Sequence, residues 1–122
     1  MLNVFYGLIT FGAAPVVLAG QLTDIAGNPM QTTRAQRLYI EPCVGNAHDC
    51  FVEQLGVLTA ATGATLGVLR VLAKPPAANS GTLTDFFEMS TQREHGIDLN
   101  AFQVDGYSHL GVGETCRVTA FA

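Results

Sequence analysis

Residues 1–23 read MLNVFYGLITFGAAPVVLAGQLT, without one charged side chain. How that run is read decides the fold. A membrane-spanning helix needs about 20 apolar residues in succession, and Gly7, Gly12, Pro15 and Gly20 interrupt this one. A secretory leader needs a positively charged start, and no Lys or Arg precedes Val4. What remains is rich in β-branched and aromatic residues, which favour strands. The glycines and the proline mark turns. The pattern predicts two strands, near 3–11 and 16–22, joined at Gly12-Ala13-Ala14-Pro15; the membrane helix is the competing reading of the same stretch.

The first of these strands is apolar on both faces: Val4, Tyr6 and Leu8 alternate with Phe5, Ile9 and Phe11. A strand without a polar face has to be covered on both sides. Those six residues are therefore the candidate interface. Residues 1–22 are read as an assembly arm on a core that spans 23–122, all within a single domain.

Composition points the same way. The 122 residues are 48% hydrophobic, which excludes a disordered chain, but only 13% charged, about half the usual share in soluble domains. A compact monomer of 12.9 kDa exposes roughly 6300 Å², or about one charge per 400 Å² here. Such a surface is expected to be covered in part by other molecules. The net charge is −4, and the six cations, Arg34, Arg37, Arg70, Lys74, Arg93 and Arg117, are scattered. A nucleic-acid partner requires a basic stripe, so none is expected.

Beyond residue 23 short apolar runs alternate with turn residues, the pattern of an all-β sandwich or jelly-roll-like barrel. Gln36–Glu41 and His48–Glu53 read as strands, the first ending at Pro42 and the second following a turn at Gly45-Asn46. Residues 54–69 again lack charge and hold Gly56, Gly63 and Gly67, which disfavours a long helix and suggests an excursion ending in a strand near 66–73. Pro75 to Gly81 is a loop. Residues 82–95 fit either a strand over 83–90 or a helix beginning near Asp85; the missing 3.6-residue repeat favours the strand. Phe102–Gly106 and Cys116–Phe121 complete the strand set, with Tyr107–Gly113 as a loop between them.

Motifs that carry chemistry are scarce. Gly111-Val112-Gly113 has neither the third glycine nor the lysine of a phosphate-binding loop, so no cofactor is expected. Cys43, His48 and Cys50 lack the paired spacing of a structural zinc site and a fourth ligand. Cys43 and Cys50 can be joined across a hairpin or, with Cys116, can be free buried thiols; both readings stay open. His48, His95 and His109 have no nucleophile at a supporting spacing, so no catalytic residue is assigned and the protein is read as a non-enzyme.

The stretch Ile97-Asp98-Leu99-Asn100-Ala101-Phe102-Gln103-Val104-Asp105-Gly106 is followed by Gly113-Glu114 and the strand Cys116–Phe121. Two earlier strands (Leu38–Glu41 and Asp49–Glu53) and a loop with Pro75-Pro76 and Asn79-Ser80-Gly81 precede it. Over residues 36–122 this order resembles the small β-sandwich structural proteins of tailed-phage virions, above all capsid decoration or cement proteins. The resemblance implies a non-enzymatic protein on the capsid surface. It would cluster with itself as trimers and strengthen contacts between major capsid proteins. An alternative is a phage head or tail appendage that binds a receptor or glycan, for which Tyr107-Ser108-His109 beside Asp105 is the only loop of suitable chemistry.

Overall fold

The computed structural model describes residues 3–54, 68–75, 85–106 and 110–122. In chain order the strands among them are β1 (Val4–Thr10), β2 (Val16–Val17), β3 (Arg34–Ala35), β4 (Arg37–Pro42), β5 (Cys50–Gln54), β6 (Val68–Leu72), β7 (Phe87–Ser90), β8 (Ile97–Asp98), β9 (Phe102–Gly106) and β10 (Thr115–Phe121). A 3₁₀ turn at Leu99–Ala101 is capped by Asp98, whose Oδ1 accepts from the Asn100 N–H at 3.0 Å.

The fold is all-β, as the alternation pattern predicts. Sheet A has the order β1-β10-β4-β7, sheet B the order β2-β9-β5-β6, and β3 and β8 form a small separate pair. Among the described residues every pairing is antiparallel and neither sheet closes on itself. The two orders mirror each other. β1 leads to β2, β4 to β5, β6 to β7 and β9 to β10, each step crossing between equivalent positions of the two sheets. That is the double-Greek-key wiring of a jelly roll.

The core lies between the sheets. Sheet A contributes Ile9, Leu38, Ile40, Phe87, Cys116, Val118 and Ala120; sheet B contributes Cys50, Val52, Leu72, Phe102 and Val104. A fully buried Leu, Ile or Val stabilises the fold by roughly 1.5–3 kcal/mol relative to exposure, so the alternating positions of β4 and β10 fix the register. A one-residue slip would turn Leu38, Ile40, Val118 and Ala120 outward.

Two expectations change. The strand placed near 16–22 stops at Val17, because Gly20 takes φ +83° and Gln21 N–H turns back to the Leu18 carbonyl at 3.1 Å. The segment then runs over the inner face of β1 at Gly7, where an added Cβ would lie 2.6 Å from the Gln21 carbonyl oxygen. The hairpin between Gln36–Glu41 and His48–Glu53 is not formed: β4 and β5 belong to different sheets, and residues 43–49 cross between them. Cys43, Cys50 and Cys116 are accordingly free thiols. The strand reading of 83–90 holds over Phe87–Ser90, without a helix. The excursion read over 54–69, the loop at 75–81 and the start of the 83–90 strand lie largely outside the described residues. Among the described residues no helix is long and apolar enough to cross a membrane.

Candidate functional site

β1 separates the six candidate interface residues by face. Ile9 is 2% and Phe11 3% exposed, both in the protein's own core, and Phe5 packs against that core. Val4 is half-buried, while Tyr6 and Leu8 are 45% and 65% exposed. The expectation that other molecules must cover both faces is therefore met on one side from within. Gly7 makes this possible by letting residues 21–22 close on the strand. The surface available to a second molecule is Val4, Tyr6 and Leu8.

These three begin a larger face. Successive strands of sheet A place outward residues in rows: Val4, Phe121, Arg37 and Ser90; Tyr6, Thr119, Tyr39 and Glu88; Leu8, Arg117 and Glu41. Phe86, just before β7, stacks on Tyr39 with centroids 5.1 Å apart. Every ionic group in these rows has a partner within them. Arg37 Nε donates to Glu88 Oε1 at 2.8 Å, its guanidinium lies 5.8 Å from the Phe121 ring centroid, and Arg117 donates to Glu41 at 3.3 Å. Burial first, then the Glu41 and Glu88 carboxylates, raise the Tyr39 phenol above its ordinary value, so its hydroxyl stays protonated. The result is a net-neutral face rich in aromatic rings and arginine, the composition of protein docking surfaces.

The outer edge of β1 is capped at its middle. Tyr6 and Thr23 exchange reciprocal backbone hydrogen bonds of 2.8 Å, and Thr23 also bridges to Pro29. Asp24 closes the turn beyond, accepting from the Ala26 and Asn28 N–H groups at 2.9 Å each. Ile25 stands at its tip, 94% exposed. A cap at one residue blunts strand addition along β1, so the broad outer face, rather than the strand edge, offers the larger contact.

A second cluster sits at one end of the sandwich, where Phe11, residues 43–49 and residues 110–115 meet. Glu114 is its hub. Its Oε1 accepts from the Ala47 N–H at 2.7 Å and the His48 N–H at 3.0 Å, and its Oε2 lies 3.0 Å from His48 Nδ1. Burial alone would raise this carboxyl, but the hydrogen bonds from His48 and Ala47 outweigh it and hold the group below its ordinary value. Asn46 adds a reciprocal pair with Thr115: its Nδ2 donates to the Thr115 carbonyl at 2.7 Å and its Oδ1 accepts from the Thr115 N–H at 3.2 Å. Beside them a shallow hollow of about 230 Å³ is lined by Ala47, His48, Asp49, Lys74 and Leu110. A carboxylate on Nδ1 orients an imidazole as catalytic pairs do. Here, however, the same carboxylate spends its other oxygen on backbone donors, which is the work of a loop latch.

The remaining sequence candidates disperse. Among the described residues no group of three His, Cys, Asp or Glu side chains can hold a metal ion. Burial pushes the Cys50 thiol up to about 12 and raises Cys116 further, so neither is a nucleophile near neutral pH. His95 is exposed in a turn; His109, with Tyr107 and Ser108, lies outside the described residues. Sequence reasoning missed Tyr39, Arg37 and Glu88 as members of a surface, because they join Tyr6 only through strand pairing. No known protein family, curated protein or solved structure matches the chain.

Proposed function

We propose that the protein is a non-enzymatic structural module of the virion decoration type, which acts by docking through the outer face of sheet A. The observation that carries this reading is that face: Val4, Tyr6, Leu8, Tyr39, Phe86 and Phe121 lie on one side of one sheet, and its arginines and glutamates pair with each other. A face of this kind binds by apolar area and shape, not by chemistry on a small substrate. Jelly rolls recur in viral capsid and lectin domains. That is an analogy of fold and adds to the resemblance carried by residues 36–122.

The test is cosedimentation of the purified protein with capsid shells assembled from a major capsid protein encoded in the same genome. Saturable binding, lost in Leu8→Glu and kept in Leu69→Glu on the opposite sheet, is the expected result. Failure of the wild type to pellet with shells at tens of micromolar, a range in which specific interfaces are occupied, overturns the virion reading.

A further inference from the structure

The outer face of sheet A has a property that a generic docking surface does not need: it is complementary to itself. Its rows run across four strands, with β1 and β7 at the edges and β10 and β4 in the middle. A half-turn about an axis parallel to the strands, midway between β10 and β4, keeps every row in place and exchanges β1 with β7 and β10 with β4. Arg117 then faces Glu41 of the second copy, and Glu41 faces Arg117. Phe121 faces Arg37, an arrangement that already occurs within one chain at 5.8 Å. Tyr6 faces Glu88, a phenol opposite a carboxylate. Leu8 falls beyond the start of β7, on the side where Phe86 stacks on Tyr39. No like charges meet.

We propose that this face is an isologous interface with a second copy of the same chain, giving a two-fold dimer with the two A sheets face to face. The inference rests on reading the face as a docking surface and names its occupant in solution: a second copy covers it until the weak dimer opens and the capsid shell takes that copy's place. Isologous contacts require each residue's partner to lie on the same patch, and the row order meets that requirement. Charge supports a copy, because the two-fold sets Arg117 against Glu41. The chain carries −4 overall, yet the two arginines and two glutamates of the rows cancel, so the facing surfaces themselves add no repulsion.

Area sets the strength. β1 and β10 have seven residues each, β4 six and β7 four; at about 3.4 Å per residue and about 4.8 Å between strands the footprint is roughly 390 Å². Two such faces bury on the order of 800 Å² of accessible surface, the size of a weak, transient interface. The dimer is therefore expected to be reversible, with a dissociation constant of about 1–100 μM. It differs from the trimer that the phage resemblance implies, because a ring of three uses two different patches per subunit, not one self-complementary face.

Sedimentation velocity over a concentration series, with circular dichroism as a check on folding, tests the proposal. The wild type is expected to pass from monomer to dimer across that range, and Leu8→Glu to weaken the dimer at least about tenfold. Arg117→Glu should do the same, and the exchanged pair Arg117→Glu with Glu41→Arg should recover to within about threefold of wild type, since each cross-copy ion pair is rebuilt with opposite polarity. A wild type that stays monomeric at several hundred micromolar overturns the inference, as does a trimer, or a dimer indifferent to both Leu8→Glu and Arg117→Glu. The two readings fail separately. A monomer that still binds capsid shells through Leu8 removes the second copy and leaves the docking function, whereas a Leu8-dependent dimer that ignores shells does the reverse.

Discussion

The two polar regions of this molecule use their hydrogen-bonding capacity in opposite ways. At the loop end Glu114 accepts from two backbone N–H groups and meets the His48 ring, while Asn46 closes a reciprocal pair with Thr115. Donors and acceptors there point inward and tie the 43–49 and 110–115 connections together. On the outer face of sheet A the charges also pair, Arg37 with Glu88 and Arg117 with Glu41, but they do so around rings and aliphatic groups that remain in water. The first region has spent its polar groups on holding itself together. The second leaves apolar surface unsatisfied, and unsatisfied apolar surface is what a partner removes. A constellation of His, Glu, Asp and Lys is thus the weaker functional signal in this fold, although it is the one that resembles chemistry.

The largest effect belongs to the boundary between core and face, which runs through β1. Ile9 is buried opposite Cys116 in the sheet, and Leu8 is its exposed neighbour. Ile9→Ala is expected to cost about 2–4 kcal/mol through lost burial and a residual cavity, measured by urea unfolding. An equal loss in Leu8→Ala would mean that the outer face is already covered within the chain. Gly7 should come next. Its Cβ would meet the Gln21 carbonyl at 2.6 Å and the Leu22 side chain at 2.7 Å, and neither the backbone nor a core leucine yields easily. Gly7→Ala should destabilise by about 1–3 kcal/mol, with residues 21–23 showing faster amide exchange than in the wild type.

How much of this was readable from residues alone follows from the range of the interactions involved. Strand against helix in residues 1–23 was legible because glycine, proline and β-branching act locally. The strands at Gln36–Glu41 and Cys116–Phe121 were legible for the same reason, because alternation is a local pattern. The partition of β1 was not legible: Phe5 and Ile9 differ from Tyr6 and Leu8 only in which side sheet B covers, and that is decided by chain crossings dozens of residues away. The Cys43–Cys50 hairpin failed on the same ground, since a glycine-containing turn can link two strands of one sheet or carry the chain to another. The outer face of sheet A is the extreme case. Tyr6, Thr119, Tyr39 and Glu88 share a row through three strand pairings, and no local pattern places them together.

A smaller effect separates the latch from the face by pH. Glu114 is held below its ordinary carboxyl value of 4.5 in the fold, so the unfolded chain takes up its proton first. The stability it contributes is complete above that ordinary value and is lost as pH falls through the lower folded value. Glu114→Gln, which keeps the shape but weakens the charge-assisted bonds to Ala47 and His48, should cost about 1 kcal/mol at pH 7. The difference between variant and wild type should shrink in urea melts at pH 3. A deficit that stays constant between pH 7 and pH 3 would mean that the carboxylate charge does not hold the loops.

The smallest effect on folding is expected where the effect on association is largest. Leu8 is 65% exposed and the Arg117 side chain 61%, and surface changes of this kind stay within about 0.5 kcal/mol of wild type. Leu8→Glu and Arg117→Glu should therefore melt within a few degrees of the parent protein when both are monomeric. The condition matters, because a dimer gains stability by mass action as concentration rises. At low concentration the melts should coincide; at high concentration the wild type alone should shift upward. A wild-type melting temperature that does not depend on concentration would place Tyr6, Leu8 and Tyr39 with ordinary surface residues, and the contrast between an inwardly satisfied end and an outwardly unsatisfied face would lose its functional meaning.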